Sequence, residues 1–368
     1  MKKVFSMKRE ITSLSPMRLA AKKLMRHKLA LWSFFILLVF YILAIFAGFF
    51  SPYAYDKSVP KKAYHPPVKI RFMDENNKFH FRPFVYETRL KIKDGSKTYK
   101  NITDKRYPIK LFVKAFEYKV LGIFPASRHL FGVDEPAKLY VFGADWNGRD
   151  IISRIIYGGR VSLSIGLIGV SISISLGMLF GGIAGYFGGW IDHVMMRLVE
   201  MIMSVPGFFL MLTLRSVLPL ELSSTEVYLM LIVIMSFIGW AGMARVIRGI
   251  VLSIRESDYV LAAKALGASH MSIIIKHILP NTSSYVIVAA TLSIPSYILG
   301  EAALSLLGLG ITEPQVSWGN MLTRAMNITD IKFHPWILIA GFAIFIVTMC
   351  FNFFGDGLRD ALDPKTGT

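Results

Sequence analysis

Long apolar runs separated by short polar breaks dominate the chain, apart from one stretch early in the sequence where apolar and polar residues alternate. The runs cover roughly residues 29–50, 161–186, 195–218, 227–247, 283–309 and 336–355. Each approaches or exceeds the roughly 20 residues that a helix needs to cross a hydrocarbon core about 30 Å thick. The pattern therefore predicts an all-α polytopic membrane protein with six transmembrane helices and both termini on one side. In the second run the serines Ser162, Ser164, Ser171, Ser173 and Ser175 partly imitate a strand. Length decides for helix, since only helices and closed barrels satisfy the backbone in lipid.

Residues 51–147 read differently. Alternating, aromatic segments at Lys69 to Phe72, Lys78 to Phe84, Thr88 to Lys93 and Pro108 to Val113 predict short strands. Asp94-Gly95 is a hairpin-turn signal, and Pro60, Pro66, Pro67 and Pro83 punctuate the rest. A small β-rich insert between the first two helices follows, as a lid over helix ends or as a contact for an external partner.

Charge orients this arrangement. Lys2, Lys3, Lys8, Arg9, Arg18, Lys22, Lys23, Arg26 and Lys28 precede the first run and place the amino terminus in the cytoplasm. The run is too long for a cleaved signal peptide and reads as a retained anchor. The loop after the fourth run carries Arg245, Arg248, Arg255, Lys264 and Lys276 against Glu256 and Asp258, so it belongs on the same side. Residues 51–150 are basic too, but long translocated segments largely escape the charge rule. The formal net charge of +18 sits mainly in juxtamembrane segments and in the insert, which favours anionic lipid over nucleic acid as a partner. Cys350 is the single cysteine, so no intrachain disulfide and no cysteine-based metal site can form.

Three places draw attention for chemistry. Tyr259 to Asn281 is a basic, mostly helical segment between two runs. Tyr259, Ala262, Ala263 and Leu266 recur at helical spacing, Gly267 stands where a C-cap ends that helix, and Pro280 is expected to stop the next. Its apolar face needs a cover, either a groove on a soluble partner or the lipid interface, where Arg255, Lys264 and Lys276 suit the headgroups. Near the second run, Gly143, Asp145, Gly148, Arg149 and Asp150 cluster, with Asp150 set to cap the helix beginning at Ile151. Inside the runs, Gly177, Gly181 and Gly185 form a close-packing face, Arg197 and Glu200 form an (i, i+3) ion pair, and Glu301 lacks a near partner. Glu301 either faces a pathway or bonds to another helix. No Gly-Lys dipeptide, His-Glu-x-x-His or Gly-x-Ser-x-Gly motif occurs, so the chain carries no phosphate-binding loop and reads as non-enzymatic.

The segment around Ala262, Ala263, Leu266-Gly267-Ala268 and His277-Ile278-Leu279-Pro280-Asn281 resembles the cytoplasmic coupling loop of ATP-binding-cassette importer permeases. Phe142 to Asp150 resembles the signature before the second span in the oligopeptide and dipeptide importers, specifically their second, C-type permease subunit. The stretch around Glu301, Ser317-Trp318-Gly319-Asn320 and residues 351–364 resembles the same family. The family usually has Glu before the two alanines, where this chain has Leu261.

The resemblance implies a type I importer permease fold. Its regions are a basic N-terminus over 1–28, an anchor over 29–50, the insert over 51–147 and a permease domain over 148–364, with the coupling loop at about 245–281. It implies a second permease subunit, two ATPase subunits that bind the ATP and magnesium, and an extracytoplasmic solute-binding protein, in a bacterial or archaeal cytoplasmic membrane. This chain itself would bind no cofactor and no metal. Gly143, Asp145, Gly148, Arg149 and Asp150 would contribute to an outer gate, and oligopeptides or dipeptides would be the cargo. Oligosaccharides or other small solutes are the alternative cargo. An ion-driven transporter is the further alternative, and would be expected to show internal repeats, broken helices and buried carboxylates.

Overall fold

The computed structural model describes residues 16–93, 96–120, 122–219 and 221–363. The expected turn at Asp94-Gly95 and the terminal Pro364 lie outside the described residues. Helix α1 spans Pro16–Arg26, α2 Lys28–Ile45 and the single turn α3 Ala47–Phe50. After the strands come α4 (Ile151–Phe187), α5 (Gly189–Ser204), α6 (Gly207–Val217), α7 (Ser224–Ile254), α8 (Asp258–Ala265) and α9 (His270–Ile273). The last helices are α10 (Ser283–Leu306), α11 (Trp318–Met321), α12 (Ile328–Phe333) and α13 (Ile339–Leu362). Five helical stretches, over Lys28–Ile45, Ile151–Phe187, Ser224–Ile254, His270–Leu306 and Pro335–Leu362, are long and apolar enough to cross a membrane.

The expected third span at 195–218 is corrected. It divides into α5 and α6, which meet at 85° across Val205-Pro206. Proline pushes the residue before it out of the helical region, and Val205 accordingly lies at φ −95°, ψ 130°. The second span is also longer than expected. Asp150 accepts a hydrogen bond from the Ser153 N–H at 2.9 Å, so α4 starts at Ile151, as the expected cap has it, ahead of the apolar run. At 37 residues, α4 is about 55 Å long and overhangs a bilayer core.

The bundle is built on α4 and α7, which make the most extensive helix–helix interface. Ser164 meets Tyr228, Ser173 meets Ser236 and Gly185 meets Val251, so the two helices run parallel. A parallel pair requires the chain between them to return through the thickness of the bundle. The bent α5–α6 pair makes that return, from Gly189 beside the end of α4 to Arg215, whose Nε donates to the Leu309 carbonyl just beyond the end of α10 at 2.8 Å. Glycines let the backbones of α4 and α7 touch, as the sequence pattern anticipates. A Cβ at Gly181 would stand 3.0 Å from the Ala244 Cα, and one at Gly185 would stand 2.8 Å from the Arg248 carbonyl oxygen. Helix α10 closes the core through Tyr297, whose hydroxyl meets the Ser173 hydroxyl and the Met235 carbonyl, the latter at 3.2 Å. Leu163, Ile165, Leu231, Ile298, Leu304, Val347 and Trp318 fill the space among α4, α7, α10, α11 and α13.

The strands lie between α3 and α4. Strands β1 (Arg71–Met73), β2 (Phe79–Lys93) and β3 (Ser96–Pro108) form one antiparallel sheet, while β4 (Lys110–Val120) and β5 (Phe124–Gly132) form a separate hairpin. The expected strands Lys78 to Phe84 and Thr88 to Lys93 merge into β2, which runs through Pro83. Proline is tolerated there because the β1–β2 register slips between Arg71↔Phe84 and Met73↔Phe79, leaving no ladder bond for its nitrogen to make. Strand β5 was not expected from the alternation. Val85, Tyr107, Ala137 and Leu139 form the core that joins the sheets to the loop entering α4. His65 is buried beside this core, with Nδ1 2.6 Å from the Pro66 carbonyl and Nε2 2.7 Å from the Thr88 hydroxyl. Burial lowers its pKa to about 4, which the nearby Lys62 cation reinforces.

Two outcomes follow from these packings. Gly181→Leu drives a side chain into the α7 backbone and costs about 1–3 kcal/mol, seen as a lowered thermal midpoint in detergent. An unfolded histidine binds a proton near pH 6.5, but the buried His65 does not until about pH 4. His65 therefore contributes stability above pH 6.5 that is lost as pH falls toward 4. Thermal unfolding across that window shows the loss, and His65→Gln flattens the dependence.

Candidate functional site

The predicted site residues collect at opposite ends of the α4–α7 pair. At the end marked by Phe187, α8 is terminated by a hydrogen-bonded glycine motif. The Gly267 N–H donates to the Lys264 carbonyl at 3.0 Å and the Ala268 N–H to the Ala263 carbonyl at 3.1 Å. Gly267 adopts φ +81°, with nothing within 4 Å of where its Cβ would be, so backbone conformation alone selects glycine. Val260, Ala263, Ile273 and Ile278 are buried against Ile247 and Val251 of α7, which anchors the segment to the bundle. The expected face divides in two. Ala263 points inward, while Tyr259, Ala262 and Leu266 are exposed, Leu266 at 88%.

Pro280 does not stop the following helix, which corrects the sequence reading. Ile274–Ile278 adopts a π turn and Leu279–Thr282 a 3₁₀ turn, and the chain passes directly into α10. These changes of winding accommodate a residue that has no N–H to donate. The Asn281 side-chain amide donates to the His277 carbonyl at 2.7 Å and to the Tyr259 hydroxyl at 3.1 Å, so the two ends of the segment are pinned together. Sequence reasoning did not single out two further ties, from Tyr186 to His270 Nδ1 at 2.9 Å and from Arg255 to the Gly185 carbonyl at 3.2 Å. Nor did it find the ion pair between Arg248 of α7 and Asp192 of α5, in which Nε lies 2.8 Å from Oδ1. An arginine facing an aspartate 56 residues away leaves no local pattern.

At the other end, Asp145 is the hub. Its Oδ1 accepts from the Asn147 N–H at 2.8 Å and the Arg149 N–H at 2.9 Å, while Oδ2 accepts from Arg149 Nε at 2.7 Å. Gly143 and Gly148 adopt φ of +83° and +73° on either side, and a Cβ at Gly148 would meet the Val59 backbone carbon at 2.7 Å. Arg149 and Arg154 then share Glu313 from the loop after α10, at 2.5 and 3.0 Å. Asp150 faces into α4, where burial pushes its carboxyl up to about 7 against the opposing hydrogen bonds from Ser153. Trp146 lies between Arg149 at 5.2 Å and Arg324 at 4.5 Å. A cavity of about 660 Å³ opens beside it, lined by Thr312, Glu313, Asn320, Thr323 and Arg324 among others. Arg154 carried a usable signal, a cation in the first turn of the helix that Asp150 caps. Glu313 carried none.

Glu301 takes the second of its two expected roles. It is fully buried, and Oε1 accepts from Ser305 and Ser317 hydroxyls, each at 2.7 Å, joining α10 to the start of α11. Ser162 of α4 accepts from the Trp318 N–H at 3.1 Å in the same junction. Arg197 and Glu200 form the expected pair at 3.0 Å, exposed on α5. Among the described residues no group of three His, Cys, Asp or Glu side chains could hold a metal ion.

Residues 177–368 match the family described as binding-protein-dependent transport system inner membrane component, and residues 15–67 match the N-terminal TM domain of oligopeptide transport permease C. The chain is 41% identical over 189 residues to the oligopeptide transport system permease protein OppC of Bacillus subtilis, covering 51% of this chain and 59% of that protein. It is 42% identical over 179 residues to OppC of Escherichia coli K12, covering 48% of this chain and 57% of that protein. A solved structure of the MetNI methionine ABC transporter, in an inward-facing conformation, aligns with 58% of this chain and 98% of its own at a TM-score of 0.44 and 18% identity. By its match over residues 177–368, the chain belongs to the family of binding-protein-dependent transport system inner membrane components.

Proposed function

We propose that this chain is the second permease subunit of an ATP-driven importer of oligopeptides or dipeptides. It would work with another permease subunit, two ATPase subunits that carry the ATP and magnesium, and a solute-binding protein. The observation that carries the reading is the segment Tyr259 to Asn281. Its inner face is locked onto α7, and its outer face presents Tyr259, Ala262 and Leu266 beside a left-handed glycine. An anchored segment with uncovered apolar side chains suits a groove on a soluble partner. Leu261, where relatives of this kind usually have Glu, is also exposed, so the proposed docking surface relies more on apolar contact.

The distribution of charge supports the orientation. Helix α1, with Arg18, Lys22 and Arg26, packs against the end of α13, where Leu24 approaches Gly357. Arg245, Arg248, Arg255, Lys264 and Lys276 gather at that same end of the bundle. This is the cytoplasmic face by the positive-inside rule, and the strands then lie outside. With the α5–α6 pair counted as a bent crossing, the chain would cross six times and both termini would be cytoplasmic.

Mechanically, closure of the ATPases would pull on α8, and the locked contacts with Ile247 and Val251 would move α7 and α4 together. Asp145, Arg149, Arg154 and Glu313 would form an outer gate that fixes the loop after α10 to the start of α4. The peptide cargo is supported by the relatives from Bacillus subtilis and Escherichia coli, both oligopeptide transport permeases.

Gly267→Asp tests the docking role. A non-glycine residue at this φ is strained by about 1–2 kcal/mol, and the charge sits on the proposed docking face. Binding-protein-stimulated ATPase activity and transport are expected to fall to background while membrane insertion persists. Gly267→Asn, which tolerates this conformation better, retains most of the coupling. Normal transport by Gly267→Asp contradicts the assignment.

A further inference from the structure

The β4–β5 hairpin leaves large apolar side chains uncovered. Leu111 is 69% exposed, Phe112 59%, Ile123 71% and Phe124 64%. Ile123 and Phe124 form its tip, while its midsection lies against α3, the last turn of the first apolar span. His129 Nδ1 stands 2.7 Å from the Gly48 carbonyl and 2.9 Å from the Ser51 carbonyl, and the Tyr118 ring packs directly on Gly48. Phe112 meets Phe49 with ring centroids 6.2 Å apart. Through Phe49 the Phe112 end of the hairpin adjoins the first span, where Phe46, Ile45 and Ile42 are exposed.

Charge specifies what covers this surface. Lys114 and Arg128 are directly opposite each other in the β4–β5 register, and Lys119 and Lys110 extend the same basic character. Lys110 is paired with Asp134 at 2.6 Å. Like charges facing across a ladder weaken a hairpin in water. An anion between them reverses the effect, and phospholipid headgroups supply anions at the depth where aromatic side chains prefer to sit.

We propose that the β4–β5 hairpin lies in the lipid interface beside the first span, with Ile123 and Phe124 below the headgroups and Lys114, Lys119 and Arg128 on lipid phosphates. The hairpin would thereby tie the β-rich insert to the bilayer. This inference does not depend on the cargo or on the docking role of the Gly267 segment.

Site-directed spin labelling tests it, because Cys350 is the single cysteine and Cys350→Ser provides a clean background. Labels at Ile123→Cys and Phe124→Cys are placed in the full chain, reconstituted in vesicles of phosphatidylcholine with or without phosphatidylglycerol. Accessibility to oxygen is compared with accessibility to a water-soluble nickel chelate, and Asn76→Cys in the turn between β1 and β2 serves as the reference. Both tip labels are expected to favour oxygen over nickel relative to Asn76→Cys, and more strongly with phosphatidylglycerol present. Nickel accessibility equal to that of Asn76→Cys overturns the proposal. So does shielding that appears only when solute-binding protein is added, which would assign the surface to that protein, or shielding that grows with protein density, which would assign it to a neighbouring copy. Indifference to phosphatidylglycerol overturns the role of the cations.

Discussion

Close contact between the backbones of α4 and α7 is the constraint on which the rest of the molecule depends. Gly181 and Gly185 bring the backbones of the two helices together, Gly177 makes room for Met243 of α7, and Ser173 and Ser236 tie the pair across that contact. Because the pair is parallel, the chain between must return through the bundle, and this imposes the bent α5–α6 passage. The predicted functional residues then fall at the two ends of one rigid unit. On the proposed reading, this lets a pull on α8 reach the cluster around Asp145 without a separate relay, since packed helices move as bodies rather than deform continuously.

Several polar groups within the apolar bundle sit where two or three elements meet and find a partner there. Glu301 joins α10 to α11, Tyr297 joins α10 to α4 and α7, and Trp318 is held by Ser162 and the Ile155 carbonyl at 2.9 Å. Unpaired groups of this kind would be costly in lipid, which makes these junctions specific points of assembly. The same principle explains why Glu301 does not serve as an exposed pathway residue in this conformation.

Much of this architecture was legible in the sequence because hydrophobic length is a strong signal. The apolar runs marked the helices, the glycines spaced by four marked the closest interface, and Asp150 marked the start of α4. What escaped was set by long-range geometry. Val205-Pro206 bent a run that composition alone drew as straight. Pro280 failed to end a helix because a π turn absorbed its missing donor, and no residue pattern announces that change. Strand β5 lacks a clean alternation and is held by its pairing with β4 and by His129 against α3. Glu313 became part of the Asp145 cluster only because the loop after α10 folds back onto α4, far away in sequence. In the Gly267 segment the C-cap position was legible, but the inward turn of Ala263 was not, since helical spacing gives a stripe but not the direction in which it faces.

The central claim is that this chain works as one part of an ATP-driven assembly, and its complex in the native membrane tests that claim most directly. A tagged copy is extracted in mild detergent, and the stoichiometric partners are identified by mass spectrometry. The account predicts a second permease subunit together with ATPase subunits. Recovery of the chain alone, or only self-associated, with no ATPase would contradict it.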